Sequence, residues 1–262
     1  MTLVKVKSHL FLQSGNIMRK AQTLLVIMFI GLSCHGQPDN KVINITEDLQ
    51  LVPLTENTWL HVSYINMPGI GRVSANGLIY VSGTEAFLFD TPWNDGLTKA
   101  LVSWLTDNMK LKIAGFVPNH WHNDCMGGLA YLQSQKTESY ANWLTVVIAK
   151  SKKLPVPAHS FRDSLQLTLG NKQIFCCYPG QAHSTDNIVV WLPSEKILFA
   201  GCMVKSIDAP DLGNTADGNL KAYPETIERV MKKFPDAIIV IPGHGKPGGK
   251  ELMKHTLELA KK

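Results

Sequence analysis

The chain has 262 residues, 45% of them hydrophobic and 18% charged, enough for one large domain or two small ones and too apolar to stay disordered. Its formal net charge of +5 belongs largely to the N-terminus, because Lys5, Lys7, Arg19 and Lys20 lie in the first 36 residues with no acid among them. The remainder is close to neutral, which removes the electrostatic case for a nucleic acid or an anionic membrane surface as partner.

Arg19 and Lys20 precede an apolar run over 24–32 and then small or polar residues through Gly36. That is the layout of an export signal, and the run is shorter than the roughly 20 apolar residues that cross a bilayer. Met18 is an alternative start. Cleavage after Gly36 gives a soluble periplasmic product beginning at Gln37. The competing site, Gly31-Leu32-Ser33-Cys34, loosely resembles a lipoprotein box with Cys34 as the lipid carrier, but Gly31 stands where an aliphatic residue is expected.

No repeat, low-complexity tract or long linker divides residues 37–262, so they read as one domain. Short β-like runs come first, over 42–45, 49–54, 59–64, 78–81 and 86–89, with Asn76-Gly77 and Ser82-Gly83 as turn residues between them. This half reads as an antiparallel meander. Asp95 is placed to cap a helix with Leu97, Leu101, Trp104 and Leu105 on one face, followed by a buried strand over 113–117 that stops at Pro118. A helix is expected near Gly127 and another over 142–150. Strands over 165–169, 174–178, 188–191 and 197–200, a helix over 223–234, a strand over 237–241 and a last helix complete the chain. Runs such as Ala237-Ile-Ile-Val-Ile241 are apolar on both faces and need cover on both sides. An α/β fold of the αββα sandwich type satisfies that requirement. Cys125, Cys176, Cys177 and Cys202 lack the spacing of a disulfide framework, and Cys176-Cys177 reads as part of a strand, buried as small hydrophobes.

The segment Pro118-Asn-His-Trp-His-Asn-Asp-Cys-Met-Gly-Gly128 carries two imidazoles two residues apart and a carboxylate two further on. Alternate residues of an extended chain point the same way, so His120 and His122 can share one cation while Asp124 faces a neighbouring one. A His-x-His pair by itself carries little weight. However, His183 follows one apolar strand, Cys202 another, and His244 sits between two glycines after a third. Strand ends on one edge of a sandwich converge, so these loops deliver His, His, Asp, His, Cys and His to one rim.

With these residues the chain resembles the metallo-β-lactamase superfamily, marked by a His-x-His-x-Asp loop with downstream His, Cys or Asp, and His ligands. Most hydrolases of that superfamily have histidine directly after the aspartate, whereas here it is Cys125. That loss, together with Cys202 ahead of Met203-Val-Lys205, is the pattern of class B, subclass 1 β-lactamases. Asn119-His-Trp-His-Asn-Asp-Cys125, Ser139-Tyr-Ala-Asn142, Leu154-Pro-Val-Pro157 and Thr185-Asp-Asn-Ile-Val-Val-Trp-Leu-Pro193 resemble the CcrA type in particular.

The resemblance implies two Zn2+ ions, one held by His120, His122 and His183 and one by Asp124, Cys202 and His244. Three neutral imidazoles leave one position for water, whose pKa zinc lowers to about 7, so a zinc-bound hydroxide is the implied nucleophile. The second ion, fixed by Asp124, is placed to accept the lactam nitrogen as its C–N bond breaks. No serine-nucleophile motif competes. The resemblance further implies that Lys205 pairs with the substrate carboxylate and Asn214 hydrogen-bonds the lactam carbonyl. Ile65-Asn-Met-Pro-Gly-Ile-Gly71 becomes a mobile flap presenting Met67 and Ile70, with Ile70 where tryptophan is usual and apolar contact therefore weaker. Asp90 and Cys125 stand behind the metal loop. The implied protein is a monomeric periplasmic hydrolase of penicillins, cephalosporins and carbapenems that confers antibiotic resistance. The alternatives are another metallohydrolase of this fold, such as a thioesterase or lactonase, and an exported zinc scavenger without turnover.

Overall fold

A computed structural model describes residues 41–262. The export signal, Met18 and Cys34 lie outside the described residues. The first sheet runs in chain order through β1 (Ile43–Thr46), β2 (Leu49–Pro53), β3 (Thr58–Met67), β4 (Gly71–Ser82) and β5 (Glu85–Phe89), all antiparallel. After helix α1 (Asp95–Met109), β6 (Lys112–Val117) adds beside β5 in parallel. Asn94, not Asp95, caps α1: its side chain accepts from Leu97 N, and Asp95 occupies the first turn.

Two corrections concern the hairpin of β3 and β4. The ladder continues unbroken from Thr58 opposite Tyr80 to Met67 opposite Gly71, well past the expected ends of both strands. Asn76-Gly77 is accordingly not a turn but the middle of β4, opposite Val62 and His61. A side chain on Gly77 would collide with the His61 ring, its Cβ falling 2.0 Å from Nε2, so this glycine exists for close approach. Ser82-Gly83 does turn the chain, with Gly83 at φ +59°.

Next come the short helices α2 (Asn123–Met126) and α3 (Leu129–Ser134), split at Gly127-Gly128, where the single helix expected near Gly127 is instead interrupted. Strand β7 (Tyr140–Asn142), helix α4 (Trp143–Ser151) and strand β8 (His159–Phe161) follow, the two strands forming a small parallel pair that the sequence pattern did not reveal. The second sheet has the spatial order β13-β12-β11-β10-β9, formed by β9 (Ser164–Leu169), β10 (Lys172–Cys177), β11 (Val189–Leu192), β12 (Ile197–Gly201) and, after helix α5 (Tyr223–Lys233), β13 (Ile239–Pro242). Strand β13 is parallel to β12, and helix α6 (Glu251–Ala260) ends the chain. The last strand starts two residues later than its composition implies, and Ile238 is exposed.

Apolar side chains fill three layers. Leu60, Tyr80, Phe87 and Phe89 of the first sheet meet Ile174, Val190, Ile197 and Phe199 of the second. Ile79 and Leu88 face outward against Leu101 and Leu105 of α1, and Leu198, Ala200 and Val240 face Tyr223, Ile227 and Val230 of α5 and Leu252 of α6. Both faces of the central strands are covered, which is why they read as continuous apolar runs. The αββα sandwich is thus present. Cys176 and Cys177 lie in β10 on its two opposite faces, and all four cysteines among the described residues are free thiols.

Candidate metal centre

The parallel pairs decide where the site lies. Loops leaving the carboxyl ends of β5, β6, β12 and β13 carry Asp90, residues 118–124, Cys202 and His244 respectively. Such ends are where open parallel sheets gather ligands. His183 arrives from the loop between β10 and β11.

His120, His122 and His183 bring one ring nitrogen each to within 4.8 Å of one another. His120 Nε2 lies 2.9 Å from His122 Nδ1, and the His183 ring stands edge-on to both. Burial pushes His120 down to about 3, with Asp124 opposing and His122 adding to the effect. Burial likewise holds His183 well below its ordinary value, so both rings are neutral. His183 is 5% exposed, and neither of its nitrogens has a hydrogen-bond partner. Leaving such a group unsatisfied costs about 1–3 kcal/mol, whereas three convergent imidazoles are the donor set of a zinc-like cation. The residues fit the metal.

Beside them, Cys202 Sγ lies 3.1 Å from Asp124 Oδ2 and 3.3 Å from His244 Nε2, and that nitrogen is 3.3 Å from the same carboxylate oxygen. Burial alone would raise Asp124, but the His244 hydrogen bond and the His120 and Cys202 contacts outweigh it and keep the carboxyl ionised. His244 moves the other way: burial opposes its charge, yet Cys202 and Asp124 hold it well above the ordinary imidazole value. A hydrogen bond from Cys125 brings the Cys202 thiol down to about 7 against burial, while burial drives Cys125 itself well up. Carboxylate, thiolate and imidazole together suit a second, softer divalent position.

His120, His122 and His244 each have the inward nitrogen aimed by what the other ring nitrogen touches. His122 Nε2 donates to Asp217 Oδ2 at 3.0 Å, leaving Nδ1 inward. His244 Nδ1 donates to the Ser74 carbonyl, leaving Nε2 inward. His120 Nδ1 lies 3.2 Å from Cys125 Sγ. Behind the loop, Asp90 sits at φ +61° and its carboxylate accepts from Asn119 N at 2.5 Å. A left-handed non-glycine residue of this kind costs of order 1 kcal/mol and marks a site whose geometry is imposed. Gly243 has no room for a side chain, since a Cβ there would fall 2.3 Å from Cys202 Sγ.

The expected substrate residues are distributed around this centre. Lys205 follows Cys202, and its ammonium is 4.0 Å from where a side chain on Gly213 would begin. Burial lowers it, while the charges of Cys202, Asp124 and Asp211 support it. Asn214 is exposed, with Oδ1 accepting from Ala216 N, so its amide N–H groups remain available as donors. Met67 and Ile70 sit at the hairpin tip, Ile70 74% exposed.

Sequence reasoning missed Asp217, Asn76 and His61. Asn76, read as a turn residue, is buried; its Nδ2 donates to the carbonyls of Pro242 and Gly245 and its backbone N to that of Gly243, pinning the His244 loop to the first sheet. His61 is buried behind the loop, with Nε2 3.1 Å from the Asp90 carbonyl. For Asn76 and His61 a polar residue within an otherwise apolar strand run was the available signal, and Asp217, in the turns between β12 and α5, had none.

Residues 70–244 match the family model described as the metallo-beta-lactamase superfamily. A "Metallo-beta-lactamase type 2" from Bacteroides fragilis is 44% identical over 240 residues, 92% of this chain and 95% of that protein. One of the same name from Pseudomonas aeruginosa is 35% identical, covering 94% and 95%. The solved metallo-beta-lactamase from Pontibacter korlensis superposes with a TM-score of 0.79 at 37% identity, over 81% of this chain and 99% of that one.

Proposed function

The chain belongs to the metallo-β-lactamase superfamily and is a hydrolase by that membership, and we propose that it is a two-zinc β-lactamase opening the amide bond of penicillins, cephalosporins and carbapenems. The observation that carries the reading is His183, whose two buried nitrogens are without partners in the one place where two other imidazoles converge on it. His120, His122 and His183 would hold one zinc, and Asp124, Cys202 and His244 the other. Zinc in these positions would supply Lewis acidity and would lower the pKa of water toward neutrality.

The chain's own residues do the rest. Lys205 offers a point charge for the carboxylate shared by bicyclic lactams. Asn214 donates to the lactam carbonyl oxygen. Asp124 and Cys202 would hold the second ion with a carboxylate and a soft thiolate. The β3–β4 hairpin, stiff up to its tip, brings Met67 and Ile70 over the substrate, and the small Ile70 side chain limits how tightly it clamps. The reading extends to a single domain over 37–262, exported to the periplasm, acting as a monomer and conferring resistance.

Imipenem hydrolysis by the purified protein before and after dialysis against a chelator tests the reaction class and the metal together. Activity should vanish on stripping and return with zinc. Absence of hydrolysis by folded, zinc-loaded protein would transfer the site to another substrate class.

A further inference from the structure

Where α5 ends, the outer face of the second sheet holds a cavity of about 440 Å³, and none of the six metal-ligand candidates lines it. Strand alternation makes its floor. Phe175 and Cys177 stand on one face of β10, with Trp191 opposite Phe175 on β11. Phe234, just past α5, forms a wall, its ring 5.7 Å from that of Trp191. Lys233 reaches in from the last turn of α5, and its ammonium donates to Cys177 Sγ at 3.0 Å. The helix is held at this spacing, because Arg229 donates to the Pro179 carbonyl and Thr226 to the Gln181 carbonyl. Residues 226, 229 and 233 lie on one side of the helix and so clasp the chain from Cys177 to Gln181. No carboxylate lines the cavity. A volume of this size with aromatic walls and a few placed polar groups is the form of a small-molecule site. The neighbouring Cys176 is not part of that chemistry, since it faces the layer between the sheets and burial pushes its thiol up.

We propose that this cavity is a covalent binding site for α,β-unsaturated carbonyl compounds with an aromatic body, Cys177 being the nucleophile and Lys233 the donor to the carbonyl oxygen. The Cys177 sulfur bonds to the β-carbon, the alkene π pair moves onto the carbonyl oxygen, and the thiol proton ends on the α-carbon. The addition has no leaving group, no net oxidation or reduction and no co-reactant. The residues suit each part of it. Reactive cysteines sit beside cations in partly accessible surroundings, and the Lys233 ammonium that touches the sulfur also meets the negative charge developing on the oxygen. Phe175, Trp191 and Phe234 offer ring faces and edges to the aromatic body, which holds the alkene against the sulfur. Cys177 is only 5% exposed, so a compound must enter the cavity to meet it. The inference does not depend on the zinc reading, whose ligands it does not use.

Phenyl vinyl ketone is the probe, with methyl vinyl ketone as its ring-free counterpart. In zinc-loaded, unsubstituted protein the first adduct among the four described cysteines should fall on Cys177, as read by fragmentation of the labelled peptide. The rate ratio of the phenyl over the methyl ketone should exceed that of free cysteine by about tenfold, the effect of burying one ring. Cys177→Ser should abolish this adduct. Lys233→Met should slow it by about tenfold, the loss of one hydrogen bond to a charged group, and Lys233→Arg should restore it. A first adduct on Cys125, Cys176 or Cys202, or a ketone ratio equal to that of free cysteine, overturns the proposal, and neither reading requires a variant to fold. A rate untouched by Lys233→Met, or one slowed and not restored by Lys233→Arg, overturns it as well.

Discussion

The two halves of the metal centre solve the problem of burying ligands in opposite ways. Asp124, Cys202 and His244 satisfy one another, because a carboxylate, an acidified thiol and a charge-stabilised imidazole form a closed polar cluster. His120, His122 and His183 share a sign of preference, all offering lone pairs, and His183 is left with no partner at all. The first group can exist without a cation at little cost, while the second waits for one. The comparison teaches that the histidine half is held by its scaffold and the mixed half by its own chemistry. It follows that the mixed half should give up its ion first on chelation.

Substitution separates the halves most sharply. Cys202→Ser should leave one zinc per chain and lower imipenem kcat by roughly 100- to 1,000-fold, as removal of a group that stabilises developing charge does. Metal analysis beside steady-state kinetics checks this, and two retained zinc ions would erase the distinction.

Acid should act on the metal-free protein with opposite signs in the two regions. Burial holds His61 down to about 4, and burial also lowers His120. The unfolded chain protonates such a ring from about pH 6.5 downward while the fold does not, so their stability is complete above pH 6.5 and is lost as pH falls toward 4. His61 alone accounts for about 3 kcal/mol across that window. His244, raised, contributes stability that is present below pH 6.5 and fades as pH rises through its folded value. Urea unfolding at pH 7.5 and pH 5 measures the balance, which should favour the higher pH. Equal midpoints would mean that His61 is hydrated or protonated in the fold.

Asp217 tests whether the histidine half depends on outside support. Asp217→Ala removes the acceptor that fixes His122, and should weaken the tighter zinc by about 10- to 100-fold with the second ion little changed. Competition against a chromophoric chelator reads this directly. Lys205→Ala lies outside both halves and should be the mildest change. Loss of one charge-assisted contact, about 1.5 kcal/mol, raises KM for carboxylate-bearing lactams roughly tenfold with kcat nearly kept. Unchanged imipenem kinetics would take Lys205 out of the substrate site.

Much of this centre was legible beforehand. Its ligands sit at the ends of apolar strands, and both the period of those strands and the His-x-His-x-Asp spacing are local properties of the chain. The sandwich was legible for the same reason, since runs such as Ile197–Gly201, buried on both faces, leave few ways to pack. Asn76-Gly77 was misread because its local signal is that of a turn, while the residues that decide its conformation, the His61 ring and the His244 loop, are far away in sequence or supplied by another strand.

By itself, then, the sequence determined the strands, the layered architecture and the identity of six ligand candidates, because hydrophobic periodicity and short-range spacing survive without knowledge of contacts. Only the tertiary structure decided which imidazole nitrogens face inward, that Asp217 aims His122 from the loop carrying Asn214, that His183 lacks any partner, and that Cys125 lies beside Cys202. Those are facts about atoms separated by as many as 170 residues, as Ser74 and His244 are, and a linear pattern holds no record of such pairs until packing brings them together.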